Sequence, residues 1–144
     1  MNLRVIEVSR VSGRKSSLSY PLYASRPAAG FPAPGDDQVE AVLDLNDLLV
    51  DNPTATFFVK VEGDSMEGER IFSGDVLVVD RSVKPVSGSI VVAAVYGEMV
   101  VKRLEFKAGE MYLVSAQAGY SPIRVSEAED CLIWGVVVGT VRSF

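Results

Sequence analysis

From Phe57 to the C-terminus the chain is a succession of short, valine-rich runs, each ended by glycine or charge. FFVKVEG (57–63) alternates, and GDVLVVDR (74–81) is an apolar run with polar ends. SIVVAAVY (89–96) and MVVKRLEF (99–106) flank Gly97-Glu98 as a hairpin. MYLVSAQ (111–117) follows a turn at Lys107 to Glu110, Gly119 to Glu129 is loop, and LIWGVVVGTVRSF (132–144) closes the chain. β-branched runs of this length, broken at this spacing, are strands. Six or seven of them in about 90 residues specify a mainly β fold: a compact curled sheet or partial barrel.

Before these strands the text changes. AVLDLNDLLV (41–50) reads as one short helix, with Asp44 as its cap and Leu45, Leu48 and Leu49 on one face. Asp51, Asn52 and Pro53 break it. Residues 1–40 read as an extended, flexible N-terminal arm, with a short strand at RVIEV (4–8). Within the arm, SRPAAGFPAPGDD (25–37) carries Pro27, Pro32 and Pro34, which fix φ and remove donors, so helix and central strand are both disfavoured. The expected division is an arm over 1–40 and a compact domain over 41–144.

Composition narrows the chemistry. The chain has no histidine and a single cysteine, Cys131. Ser-His-Asp and Cys-His sites are therefore excluded, as are zinc sites built on His and Cys. No phosphate-binding GxxxxGK[ST] and no GxGxxG is present. The net charge is −5. Nucleic-acid binders carry a basic footprint, which this chain lacks overall. Arg4, Arg10, Arg14, Lys15 and Arg26 give the arm a local excess, read as a solvated surface. The apolar runs are too short to span a bilayer, and the first residues hold no apolar secretory core. With one cysteine, the expected compartment is the cytoplasm. No cofactor and no metal are expected.

Two places break the local pattern. In VEGDSMEGER (61–70) a strand ends at Gly63, and Ser65 follows in a Gly-Asp-Ser turn. Such a turn exposes a hydroxyl beside successive backbone amides, which suits an oxyanion hole, although the same tripeptide is common in ordinary loops. In MVVKRLEF, Lys102 alternates with Val100 and Leu104 on one strand face, while Arg103 takes the other. If that face is the core, desolvation favours the neutral amine, a general base. The alternative is an edge lysine with its stem on apolar surface and its head in water. A hydroxyl, an amine and backbone donors are the parts of a Ser/Lys dyad.

GDSM, then GDVLVVDR, then GSIVVAAVYGEMVVKRL, resembles the LexA/UmuD family of self-cleaving Ser/Lys peptidases, from about Ala41 to the C-terminus. PLYASRPAAGFPAP and LDLNDLLVDNPTATFFVK are similar to the UmuD-like branch rather than to the repressors. The resemblance implies Ser65 as nucleophile, Lys102 as base, the backbone amides of Ser65 and Met66 as oxyanion donors, and Ala29-Gly30 as the bond cut. It also implies a homodimer, stimulation by a RecA nucleoprotein filament, and service of the trimmed form to a UmuC-type lesion-bypass polymerase. A repressor would need a helix-turn-helix ahead of Gly30, and little helical periodicity lies there, so no sequence-specific DNA binding is expected. A signal peptidase, a further Ser/Lys enzyme, would need a membrane anchor. The remaining alternative is a catalytically silent β-rich binding subunit. One departure stands out: the family commonly places Gly shortly before the Ile that follows GDSM, where this chain has Glu69 and Arg70 before Ile71. Cys131 and Trp134 are expected in the core or at a dimer face.

Overall fold

The computed structural model describes residues 1–11, 20–23, 39–126 and 131–144. The stretch 25–37, with Ala29 and Gly30, lies outside the described residues, as do Arg14 and Lys15. The chain forms two compact units, Met1–Val11 with Asn52–Phe144, and Ser12–Asp51.

The smaller unit contains strands β2 (Tyr20–Tyr23) and β3 (Val39–Leu43), which follow β1 (Arg4–Arg10) in the chain. β2 and β3 pair antiparallel, Tyr20 opposite Leu43 and Tyr23 opposite Val39. Helix α1 (Leu45–Leu49) comes next, and its cap is the one expected: Asp44 accepts from the Asn46 amide at 2.9 Å. Only the second half of AVLDLNDLLV is helical, because Val39–Leu43 is committed to β3.

The larger unit is one eight-stranded antiparallel sheet. Its members after β1 are β4 (Thr56–Glu62), β5 (Val76–Asp80), β6 (Ile90–Val95), β7 (Glu98–Lys107), β8 (Glu110–Val114), β9 (Ile123–Arg124) and β10 (Leu132–Val141). The order is β1-β4-β5-β10-β6-β7-β8-β9. A further pairing, Arg4 with Val100, brings β1 to β7, so the sheet curls back on itself as a ring short of a closed barrel. This is the curled, mainly β architecture that the strand spacing implies. The first hairpin turns one residue earlier than expected: Val95 pairs with Glu98, leaving Tyr96 (φ 50°) and Gly97 (φ 78°) as the two turn residues. Positive φ at both matches the twist of the strands it joins.

Alternation sorts the aliphatic residues into two clusters. Leu3, Val59, Val61, Met66, Ile71, Leu77, Val79, Val92 and Val101 make one. Val91, Ala93, Val95, Val100, Leu104, Leu113 and Val136 make the other. Neighbours in β6 and β7 thus point to opposite sides, as strand geometry requires. Trp134 packs against the first cluster, 5.1 Å from the Phe57 ring with the Arg81 guanidinium 4.8 Å above its face, and Cys131 packs against the second. Two carboxylates tie the ends of β5. Arg142 grips Asp75 with two hydrogen bonds, 2.7 and 2.8 Å, and holds it below the usual carboxylate range. Burial works against ionisation of Asp80, yet hydrogen bonds from Asn52 and Ser82 outweigh it and keep its carboxyl low. Among the described residues no helix is long and apolar enough to cross a membrane.

Candidate active site

The site begins where β4 ends. After Glu62 the chain passes through Gly63 at φ 129°, a conformation that L side chains rarely adopt. The position is also closed to any side chain, since a Cβ there would meet the Asn2 carbonyl oxygen at 2.3 Å. Asp64 and Ser65 follow, then a 3-10 turn over Glu67–Glu69. Ser65 and Met66 are both fully buried, and the Met66 side chain anchors the turn in the first cluster.

The turn is fixed to its surroundings at three points. Ala116 N–H donates to the Ser65 carbonyl at 2.9 Å, and Gly68 N–H donates to the Ala116 carbonyl at 3.0 Å. Gly68 has no room for a side chain either, as a Cβ would sit 2.1 Å from that same carbonyl oxygen. On the outer side Arg103 bonds Glu69 at 2.5 Å and Glu105 at 2.9 Å. Those two carboxylates hold the guanidinium pKa above its ordinary value.

Lys102 leaves β7 on the opposite side from Arg103. Val100 and Leu104, its partners in alternation, are 3% and 0% exposed, and Lys102 itself is 2% exposed. Its ammonium donates to Ser115 Oγ at 2.5 Å and to Asn2 Oδ1 at 2.7 Å, with the Tyr120 ring centroid 5.4 Å away. Burial pulls its pKa below the ordinary 10.5, because water no longer solvates the charge.

Ser65 and Lys102 meet at neighbouring residues on both sides. Ser65 Oγ accepts from Leu3 N–H at 2.7 Å, and Lys102 reaches Asn2, the residue before it. On the far wall Ser65 is held by Ala116 and Lys102 by Ser115. The two residues are thus linked through adjacent positions of the chain, Asn2 and Leu3 on one side and Ser115 and Ala116 on the other. Nearby, Tyr120 OH donates to Asp64 at 2.7 Å, and the Met1 ammonium contacts both. These contacts, the ammonium first, hold the Asp64 carboxyl low.

Chemically, the region offers a buried hydroxyl and a buried amine whose neutral form burial favours. That pair suits attack on a carbonyl. Among the described residues no group of three or more His, Cys, Asp or Glu is placed to hold a metal ion. Asn2, Ser115 and Tyr120 contact Lys102 without any local sequence signal of their own, whereas Gly63 was marked by the Gly-Asp-Ser turn.

A family model described as "Peptidase S24-like" matches residues 21–138, a span that contains both Ser65 and Lys102. Protein ImpA of Escherichia coli is 50% identical over 128 residues, covering 85% of this chain and 83% of that protein. Protein SamA of Salmonella typhimurium is 41% identical over 122 residues, 85% of this chain and 84% of that protein. The LexA repressor of Shewanella pealeana is 35% identical over 141 residues, 97% of this chain and 68% of that protein.

Proposed function

The chain belongs to the Peptidase S24-like family, and from that membership we propose that it is a self-cleaving Ser/Lys endopeptidase of the UmuD-like branch. Neutral Lys102 takes the proton of Ser65 Oγ, and the oxygen attacks the carbonyl carbon of Ala29. The backbone amides of Ser65 and Met66 receive the developing oxyanion. Lys102 then passes its proton to the Gly30 nitrogen as the peptide bond breaks. A water molecule, activated by the same amine, attacks the acyl-enzyme and frees Ser65. Ala29 suits such a site because it is small, and Gly30 because it lets backbone approach backbone. Presentation by the same protein replaces diffusion of a substrate, and high effective concentration supplies much of the acceleration.

The biological role we assign follows that branch. A RecA nucleoprotein filament stimulates the cut in the cytoplasm after DNA damage. The trimmed form, as a homodimer, then serves a UmuC-type translesion polymerase in SOS mutagenesis.

One observation carries the reading. Lys102 is buried to 2% and its amine bonds Asn2, the residue before the Leu3 that bonds Ser65 Oγ, so the strand lysine is not an edge residue with its head in water. A second reading, a catalytically silent subunit, draws on another: Leu3 N–H already occupies Ser65 Oγ.

The test is intact mass after incubation at about pH 10, where more of any lysine is neutral. A pair of fragments split between Ala29 and Gly30, missing in Ser65→Ala and in Lys102→Ala, is the expected result. Absence of cleavage even with an activated RecA filament leaves the silent subunit.

A further inference from the structure

Residues 1–3 are bound as a peptide would be. The Asp64 amide donates to the Met1 carbonyl at 3.1 Å and the Val101 amide to the Leu3 carbonyl at 2.9 Å. Leu3 N–H donates to Ser65 Oγ, and Asn2 Oδ1 accepts from Lys102, each at 2.7 Å. The segment thus lies extended between the turn after β4 and the middle of β7, held mainly through its backbone. This is recognition by strand addition, in which main-chain bonds give affinity and side-chain pockets give selectivity. The pocket for Leu3 is the first core cluster, where it is fully buried. Gly63 clears the floor beneath the Asn2 carbonyl.

The contacts oppose the chemistry as well as fill the space. The Leu3 amide takes up a lone pair of the hydroxyl that would attack. The Asn2 amide oxygen is an acceptor only, so it favours the ammonium over the neutral amine.

The strand that leads away from the seat is solvent-exposed. Beyond Arg4 the strand bulges between Val5 and Glu7, and its remaining residues are exposed on the sheet edge, Ile6 at 50% and Val8 at 45%. A solvated ladder beyond Val5 lets that part of the strand open locally, and Leu3 is the buried anchor that must be withdrawn for residues 1–3 to leave.

We propose that residues 1–3 are a releasable intramolecular ligand of an extended-peptide groove across Ser65 and Lys102, and that the groove accepts a substrate strand only when they leave. The regulatory meaning rests on the peptidase reading above, but the occupancy does not.

The experiment therefore reads accessibility rather than catalysis. Trace acetylation of Lys102 by acetic anhydride is measured by mass spectrometry, with exposed Lys60, Lys84 and Lys107 as internal standards. It is run on the full chain, on a variant lacking residues 1–3, and on Asn2→Ala. Loss of the segment should raise Lys102 labelling by roughly tenfold, as for a groove otherwise open about a tenth of the time. Asn2→Ala keeps Leu3 in the core and should give a smaller rise in the same direction. If the deletion labels every lysine alike, it has unfolded, and Asn2→Ala alone decides. Equal protection of Lys102 in every folded variant overturns the proposal. Self-cleavage is followed in parallel: faster labelling without faster cleavage sustains the groove and its ligand while removing the peptidase.

Discussion

Ser115 Oγ accepts a hydrogen bond from Lys102 Nζ across 2.5 Å, tying the residue after β8 to the middle of β7. A hydroxyl accepting from the ammonium stabilises the charged form, and so opposes the burial that lowers the lysine pKa. Ser115→Ala removes the acceptor and lets the pKa fall further. The rising limb of self-cleavage against pH should therefore move to lower pH in this variant, with the rate at alkaline pH within a few-fold of wild type. The rate profile from about pH 6 to about pH 10 measures it. A limb that stays in place, or moves up, would show that Ser115 does not tune the base.

The turn after Ser65 makes a different prediction. Arg70 sits at φ 61°, ψ 33°, in the left-handed region that glycine adopts most readily, directly before Ile71. The structure explains how the arginine is accommodated. Arg70 is exposed, and its carbonyl accepts from Arg142 at 3.0 Å, a bond that any residue type can make. What remains is the cost of a Cβ in that conformation, about 1–2 kcal/mol. Arg70→Gly recovers this and gives back part of it as unfolded-chain entropy. A net gain of about 0.5–1 kcal/mol is expected from urea denaturation. A loss of stability would mean that the Arg70 side chain makes contacts that outweigh the strain.

How much of this was written locally in the chain depends on the range of the interaction. The strands were legible because alternation and β-branching act over a few residues; the same logic put Lys102 on one face with Val100 and Leu104 but left open whether that face was the core, which only the packing of the sheet decides. The Asp44 cap was legible because its hydrogen bond spans two residues. β2 and β3 were not: Pro21 lies within β2, and each strand is defined by a partner some twenty residues away, Tyr20 against Leu43. The contacts of Ser65 and Lys102 were the least legible. Asn2 reaches Lys102 over 100 positions, and nothing in MNLR distinguishes a polar side chain destined for a buried lysine from one destined for water. Only the closing of the ring through Arg4 and Val100 brings it there.

The buried lysine also leaves a mark on stability. Its pKa is lowered in the folded state, so between that value and the ordinary 10.5 the unfolded chain binds more protons than the folded one. Stability must then rise with pH across this interval. Below it both states carry the charge, and the folded state bears the full cost of desolvation. Lys102→Met keeps an unbranched side chain of similar length without the charge. The variant should be more stable than wild type at neutral pH, and the gap should narrow as pH approaches 10.5. Taking the difference between the two proteins cancels the other groups that titrate there, Tyr120 and Cys131 among them. Urea midpoints measured at intervals from pH 7 to about 10.5 test it. Parallel curves would mean that Asn2 and Ser115 restore to the ammonium all that burial removes.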